Sequence, residues 1–273
     1  MTHALPRRPA WLVTALVIGT FLLLDHDPYR LYEAVMPEAR GWTRLAGVGA
    51  LRWLPWVLVP LVVTALLAGP GHAPAALGLR GAPLRALALA VALTAVLPLT
   101  YALTGELVLT EERLRVFLDF ALFAGVAEEV LYRGLLFGLL FRLAGWGFLP
   151  AALLNTAIFG LGHVAQGEGL AEAAGILAIT GIGAFWFSWL YAEWDDLWVP
   201  IWLHVLMNGW WIVFEVADTA LGPAQSWAAR AAVIALSIGI TLATARRRGG
   251  LAVRGRAWLR GGPAPRQRWH RPQ

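Results

Sequence analysis

The sequence predicts an all-α fold: a polytopic transmembrane helical bundle of about eight helices, with its polar groups turned inward. Three observations lead there. Only 14% of the 273 residues are charged and 59% are hydrophobic, whereas a soluble domain carries about 25% charged residues. A chain with a mean hydropathy of +0.62 cannot cover its surface with polar groups, so lipid must be its solvent. The apolar residues also fall into stretches that approach the roughly 20 residues a helix needs to cross a bilayer. Finally, the 15 Trp residues suit the boundary between apolar core and headgroups.

Taken in order, the stretches are Ala10–Leu24, Trp53–Gly69, Leu84–Leu103, Val116–Phe141, Phe148–Ala165, Ala171–Tyr191, Trp198–Val216 and Ala228–Ala245. The first follows Arg7 and Arg8 and is short enough to resemble a signal peptide. Asp25-His26-Asp27-Pro28 follows it instead of a small-x-small cleavage site, so it is expected to stay as the first helix. Eight spans put both termini on one side. Arg7, Arg8 and a basic tail make that side the cytoplasm, with the chain in the cell (inner) membrane. Arg30, Arg40, Arg44 and Arg52 in the first outer loop run against this rule, beside Asp25, Asp27, Glu33 and Glu38, and part of that loop is expected to lie in the interface as a helix. Gly69-Pro70-Gly71 marks a loop and Gly249-Gly250 the start of the tail. The organisation expected is one transmembrane domain over residues 1–245 and a basic, disordered cytoplasmic tail over 246–273.

All 22 basic residues are Arg, and nine follow Ala245: Arg246, Arg247, Arg248, Arg254, Arg256, Arg260, Arg266, Arg268 and Arg271. Because this run follows an apolar segment directly, its expected partner is anionic lipid and not nucleic acid, with Trp258 and Trp269 dipping into the interface. There is no Cys, which excludes disulfides and thiolate metal sites.

Ionisable residues inside the apolar stretches carry the functional signal. An acid or Arg at a helix centre in lipid costs about 2.5–3.5 kcal/mol on insertion scales, so each needs an internal partner or a task. The fourth stretch contains Ala127-Glu128-Glu129-Val130-Leu131-Tyr132-Arg133-Gly134. Glu129 and Arg133 are i,i+4 and can pair on one face, a structural role. Glu128 points about 100° away around the helix, and a second acid adds cost without stabilising anything. Asp119, nearer the outer end of this stretch, is expected to sit in water. The fifth stretch ends with Phe159, Gly160, Gly162 and His163, and its glycines would let a neighbouring helix approach closely. The seventh holds His204 and Asn208, again i,i+4. A carboxylate, two imidazoles and an amide on three helices form a catalytic set more readily than four independent accidents. At 1.5 Å per residue, Glu128 and His163 lie roughly 21 Å from the cytoplasmic ends of their helices, Asn208 about 15 Å and His204 about 9 Å, so His204 needs a kink or tilt to draw level.

These residues and spacings resemble the CAAX protease and bacteriocin-processing family of intramembrane proteases (CPBP, or Abi), and within it the type II CAAX prenyl endopeptidases. The motif Glu-Glu-x-x-x-Arg stands as Glu128, Glu129 and Arg133, with Tyr132 and Gly134 in the usual aromatic-Arg-Gly context. Phe-x-x-x-His is Phe159 and His163, and His-x-x-x-Asn is His204 and Asn208, preceded by Leu197-Trp198-x-Pro200-Ile201. Order and spacing agree over residues 115–215, and the first 110 residues carry no resemblance. The acidic turn Glu193-Trp194-Asp195-Asp196 departs from the small polar residues usual there, and bears on packing or substrate.

The resemblance implies an intramembrane endopeptidase acting on a membrane-associated protein or peptide, without cofactor or metal. Glu128 and His163 would activate a water, His204 and Asn208 would stabilise the oxyanion, and Glu129, Arg133 and Phe159 would support them. The chemistry is sound on its own terms: a carboxyl group taken out of water titrates closer to neutrality, where a general base works best. Fixed donors in a dry cavity also stabilise an oxyanion more than water does. Other readings stay open. Glu128, His163 and His204 are also a possible zinc ligand set, although the sequence His-Glu-x-x-His is absent. A non-proteolytic relative would serve as a peptide-toxin immunity protein or membrane scaffold. A proton-coupled transporter would bury Glu and His too, but no internal repeat of the kind that builds many transporters is visible.

Overall fold

The computed structural model describes residues 8–25, 28–217 and 221–261. Among these the regular elements are helices, and an isolated bridge joins Trp146 to Arg260. Helix α1 is Ala10–Asp25, α2 is the short Pro28–Val35, α3 is Gly41–Ala68 and α4 is Pro83–Tyr101. A continuous α5 runs over residues 111–142, followed by α6 (Phe148–Gln166), α7 (Leu170–Trp194), α8 (Trp198–Val213) and α9 (Ala224–Arg247). Five of these, α3, α4, α6, α7 and α9, are long and apolar enough to cross a membrane. With α1 and α8, of 16 residues each, and the charge-bearing α5, they coincide with the stretches read from the sequence. The chain is a multi-pass helical membrane protein. Arg7 and residues 262–273, including Arg266, Arg268, Arg271 and Trp269, lie outside the described residues.

α5 is the innermost helix. Thr110 caps its N-terminus by accepting the Arg113 N–H at 3.2 Å, and Glu111 and Glu112 in the first turn suit the positive end of the helix dipole. It widens to i→i+5 hydrogen bonding over Phe117–Phe123 and again over Glu129–Leu139, a geometry that recurs at functional sites. Every residue from Glu129 to Leu139 is buried. At its C-terminal end, Gly145 adopts a φ of +77° and turns the chain into α6.

Small residues set the helix spacing, as they must where lipid removes the hydrophobic drive for association. A Cβ on Gly125 of α5 would lie 3.2 Å from the backbone N of Val205 in α8, and one on Gly209 would meet the Phe117 ring. α5 and α8 therefore approach closely along the segments that carry Glu128–Arg133 and His204–Asn208. Gly160 likewise lies against Leu177 and Gly181 of α7, whereas Gly162 has open space beside it and brings no helix closer.

Two sequence expectations change. α3 begins at Gly41, well before Trp53, so Arg44 and Arg52 belong to a helix and not to an outer loop. Arg52 is accommodated over the Trp53 and Trp56 rings, at 4.0 and 5.2 Å. The added turns of α3 cover the start of α5, so Asp119 is buried instead of wet. It accepts a 2.7 Å bond from Trp53 Nε1 and pairs with Arg44 at 3.5 Å.

Candidate active site

Where α5 crosses α8, four polar side chains meet: Glu128, Glu129, Arg133 and His204. Glu129 Oε1 accepts from Arg133 Nη1 at 2.9 Å, the i,i+4 pair expected, and both residues are fully buried. The same oxygen also accepts from His204 Nδ1, at 2.8 Å. Because a carboxylate only accepts, His204 carries its proton on Nδ1 and turns Nε2 towards Glu128, whose Oε2 is 3.9 Å away. The close α5–α8 approach at Gly125 thus draws His204 level with the two carboxylates. Glu129 Oε2 and Arg133 Nε are buried and have no hydrogen-bond partner among the described residues. Glu128 also has no hydrogen bond there, and it is less deeply buried than Glu129.

Aromatic rings close the cluster. The Arg133 guanidinium lies 4.4 Å from the Phe159 ring centroid and 5.4 Å from that of Phe187, a placement that stabilises a desolvated cation. Phe159 also carries the second imidazole: its ring lies against His163 at 4.5 Å, tilted by 34°, and its carbonyl accepts from His163 Nδ1 at 2.7 Å. A carbonyl only accepts, so a neutral His163 presents Nε2 as a lone pair.

Not every predicted residue joins directly. No hydrogen bond or ion pair links Glu128 to His163 or Asn208 among the described residues. Asn208 instead donates through Nδ2 to the Phe120 carbonyl, at 3.1 Å, and so holds α8 to α5 one turn beyond His204. Glu128, His163 and His204 do not converge as ligands either: no group of three His, Cys, Asp or Glu able to hold a metal occurs among the described residues.

The sequence reading gave two contributors no role of their own. Phe187 touches both Arg133 and His204, whose ring is 5.8 Å away, yet it stands in an uncharged, mostly apolar run that gives it no signal. Tyr132, i,i+4 from Glu128, donates to Asp25 Oδ1 of α1 at 3.0 Å and packs edge-on against Phe159 at 4.9 Å. That spacing from Glu128 was a visible clue, but Asp25 was not.

The acidic turn between α7 and α8 acts in packing. Asp195 pairs with the buried Arg142 at 2.7 Å, and Glu193 accepts from the N–H groups of Ala252 and Val253. Burial pushes the Asp196 carboxyl above its ordinary range, opposed by bonds from the Trp198 and Ala82 N–H groups.

Comparison with known proteins bears on the same segment. Residues 110–210 match the family described as Rce1-like, type II CAAX prenyl endopeptidase Rce1-like. A Bacillus subtilis (strain 168) protein named "Putative membrane peptidase YdiL" is 32% identical over 91 residues, and the matched stretch is 33% of either chain. No solved structure matches the chain. α5, α6, α7 and the first three turns of α8, with all three motifs, are thus a type II CAAX prenyl endopeptidase-like segment, as the motif spacing had indicated.

Proposed function

We propose that this protein is an intramembrane endopeptidase, and that Glu128 activates the water that attacks a peptide bond of a membrane-associated protein or peptide. The observation that carries the reading is the division of labour between neighbouring acids. Glu129 is committed to Arg133 and His204, while Glu128 stands beside them without a hydrogen bond among the described residues. An acid only 13% exposed at this depth of the bundle, left without one, has a cost that packing does not explain.

In this reading Glu128 takes a proton from water as the water oxygen bonds to the carbonyl carbon. The lone pair on His163 Nε2 accepts the water's other hydrogen and orients it. The oxyanion is met by Asn208, whose amide has a second N–H besides the one given to Phe120, and by His204 Nε2 when that ring carries both protons between Glu128 and Glu129. Glu128 then returns its proton to the leaving amine as the C–N bond breaks. No metal takes part. Both termini face the cytoplasm from the inner membrane.

The direct test is terminal proteomics on membranes holding wild type or Glu128→Ala, where new N- and C-termini should appear with wild type alone. Identical termini in the two samples would remove the protease reading. Stoichiometric zinc in the purified protein, with cleavage reversibly lost on chelation, would instead make Glu128, His163 and His204 ligands.

A further inference from the structure

The end of the chain, expected as free tail, is folded over its described part. Gly249 and Gly250, at φ +89° and +121°, turn the backbone back at the end of α9. The buried carboxylate of Glu193 then accepts the N–H groups of Ala252 and Val253, at 2.7 and 2.9 Å. Such charge-assisted bonds hold backbone firmly. Val253 is buried, the Trp258 ring meets Phe148 at 5.3 Å, and Gly261 N donates to Gly145 O at 2.8 Å. Residues 249–261 are therefore a strap tied at both ends, lying across the α5–α6 and α7–α8 turns.

What the strap leaves outward is basic and apolar together. Arg254, Arg256 and Arg260 are exposed, as are Arg246, Arg247 and Arg248 at the end of α9, and none of the six forms an ion pair among the described residues. No acid occurs from residue 246 to 261. Leu259 is 70% exposed and Trp258 38%. Level matters as well. The 24 residues of α9 extend about 36 Å at 1.5 Å each, so the last turn reaches the headgroups. Chain that turns back at that point stays at headgroup level.

We infer that residues 249–261 are a folded lipid-binding strap, with the arginine face seated on the anionic headgroups of the adjoining leaflet and Trp258 and Leu259 inserted between them. Arginine beside exposed apolar side chains fits a charged interface better than it fits nucleic acid. The inference rests on the chain spanning a membrane and is independent of proteolysis, so its test measures no cleavage.

The chain has no Cys, so Ala257→Cys in the full-length protein accepts a single fluorophore. In nanodiscs of phosphatidylcholine with phosphatidylglycerol, acrylamide quenching should be about twofold lower than in phosphatidylcholine alone. The difference should vanish at about 1 M salt, where the Debye length shrinks to roughly 3 Å, and in Arg254→Gln/Arg256→Gln/Arg260→Gln. Equal quenching in both lipids overturns the inference. So does a lipid difference that survives both high salt and the triple substitution, or protection by an oligonucleotide in neutral discs that equals protection by anionic lipid. Should the triple variant not fold, the salt series on the labelled parent decides.

Discussion

α5 buries carboxylates at two levels, and the two are treated differently. Near its N-terminal end Asp119 has each oxygen engaged, one by Trp53 Nε1 and the other by Arg44, whose head stays partly exposed. Further along, Glu129 takes two donors on one oxygen and none on the other, and Glu128 stands beside it facing His204. The first arrangement is a closed account: one acid, satisfied, joining α3 to α5. The second holds more polar groups than pairing requires. Buried polar groups are normally satisfied, and an under-satisfied one requires a specific explanation. The contrast separates an acid whose bonds are all used in building the bundle from a pair with bonding capacity left over.

The sharpest way to break that contrast is to neutralise one acid at each level. Glu128→Gln should lose about 100- to 10,000-fold in cleavage rate, the range typical of a general base, at normal folded yield. A Glu128→Gln protein that still cleaves at near wild-type rate would make Glu128 another structural acid. Somewhat smaller losses are expected on α8. His204→Ala and Asn208→Ala should each cost about 100- to 1000-fold if they serve the oxyanion. Turnover numbers on purified protein in detergent decide both.

Stability should respond in a different order. Arg133→Ala leaves Glu129 as a buried charge without its cation, a loss of about 3–5 kcal/mol in soluble cores. Folded yield and thermal midpoint in detergent should fall together with activity. Asp119→Asn should be milder. Its amide can still accept from Trp53 on one atom but opposes Arg44 with its own N–H donors, a loss of about 1–3 kcal/mol. Activity per folded molecule should stay close to wild type. A large drop in that specific activity, with little change in midpoint, would join the two levels into one functional site.

Much of the second level was legible beforehand. Glu128, Glu129, Arg133, His163, His204 and Asn208 stand out because lipid makes each conspicuous, and i,i+4 spacing alone placed Glu129 with Arg133. What could not be read was which helix meets which. The Glu129–His204 bond depends on α5 and α8 closing at Gly125 and Gly209, and those glycines announce no partner. Asp119 was misplaced because Arg44 and Arg52 looked like loop residues, although aromatic faces and the Asp119 carboxylate let them ride on a helix. Glu193 looked like a departure from a motif. Its partners are the N–H groups of Ala252 and Val253, which any residue but Pro would supply there, so composition held no trace of the strap.

The smallest effect tests where the site ends. Tyr132 stands one turn beyond Glu128: its ring packs edge-on against Phe21, Trp56 and Phe159, at 5.1, 6.2 and 4.9 Å, and its hydroxyl reaches Asp25. Tyr132→Phe keeps every ring contact and removes one hydrogen bond whose acceptor is exposed and can rehydrate, so the cost should be about 0.5–1.5 kcal/mol. His163 is held through the backbone carbonyl of Phe159, which the substitution does not touch, so the cleavage rate should change little. Tyr132→Ala is the control, because it empties the ring's place beside Phe159 and should cost about 3–5 kcal/mol, as other large aromatic truncations do. If Tyr132→Phe is instead as inactive as Glu128→Gln while its thermal midpoint is unchanged, the hydroxyl belongs to the chemistry. Asp25, on a helix outside the family segment, would then be part of the site.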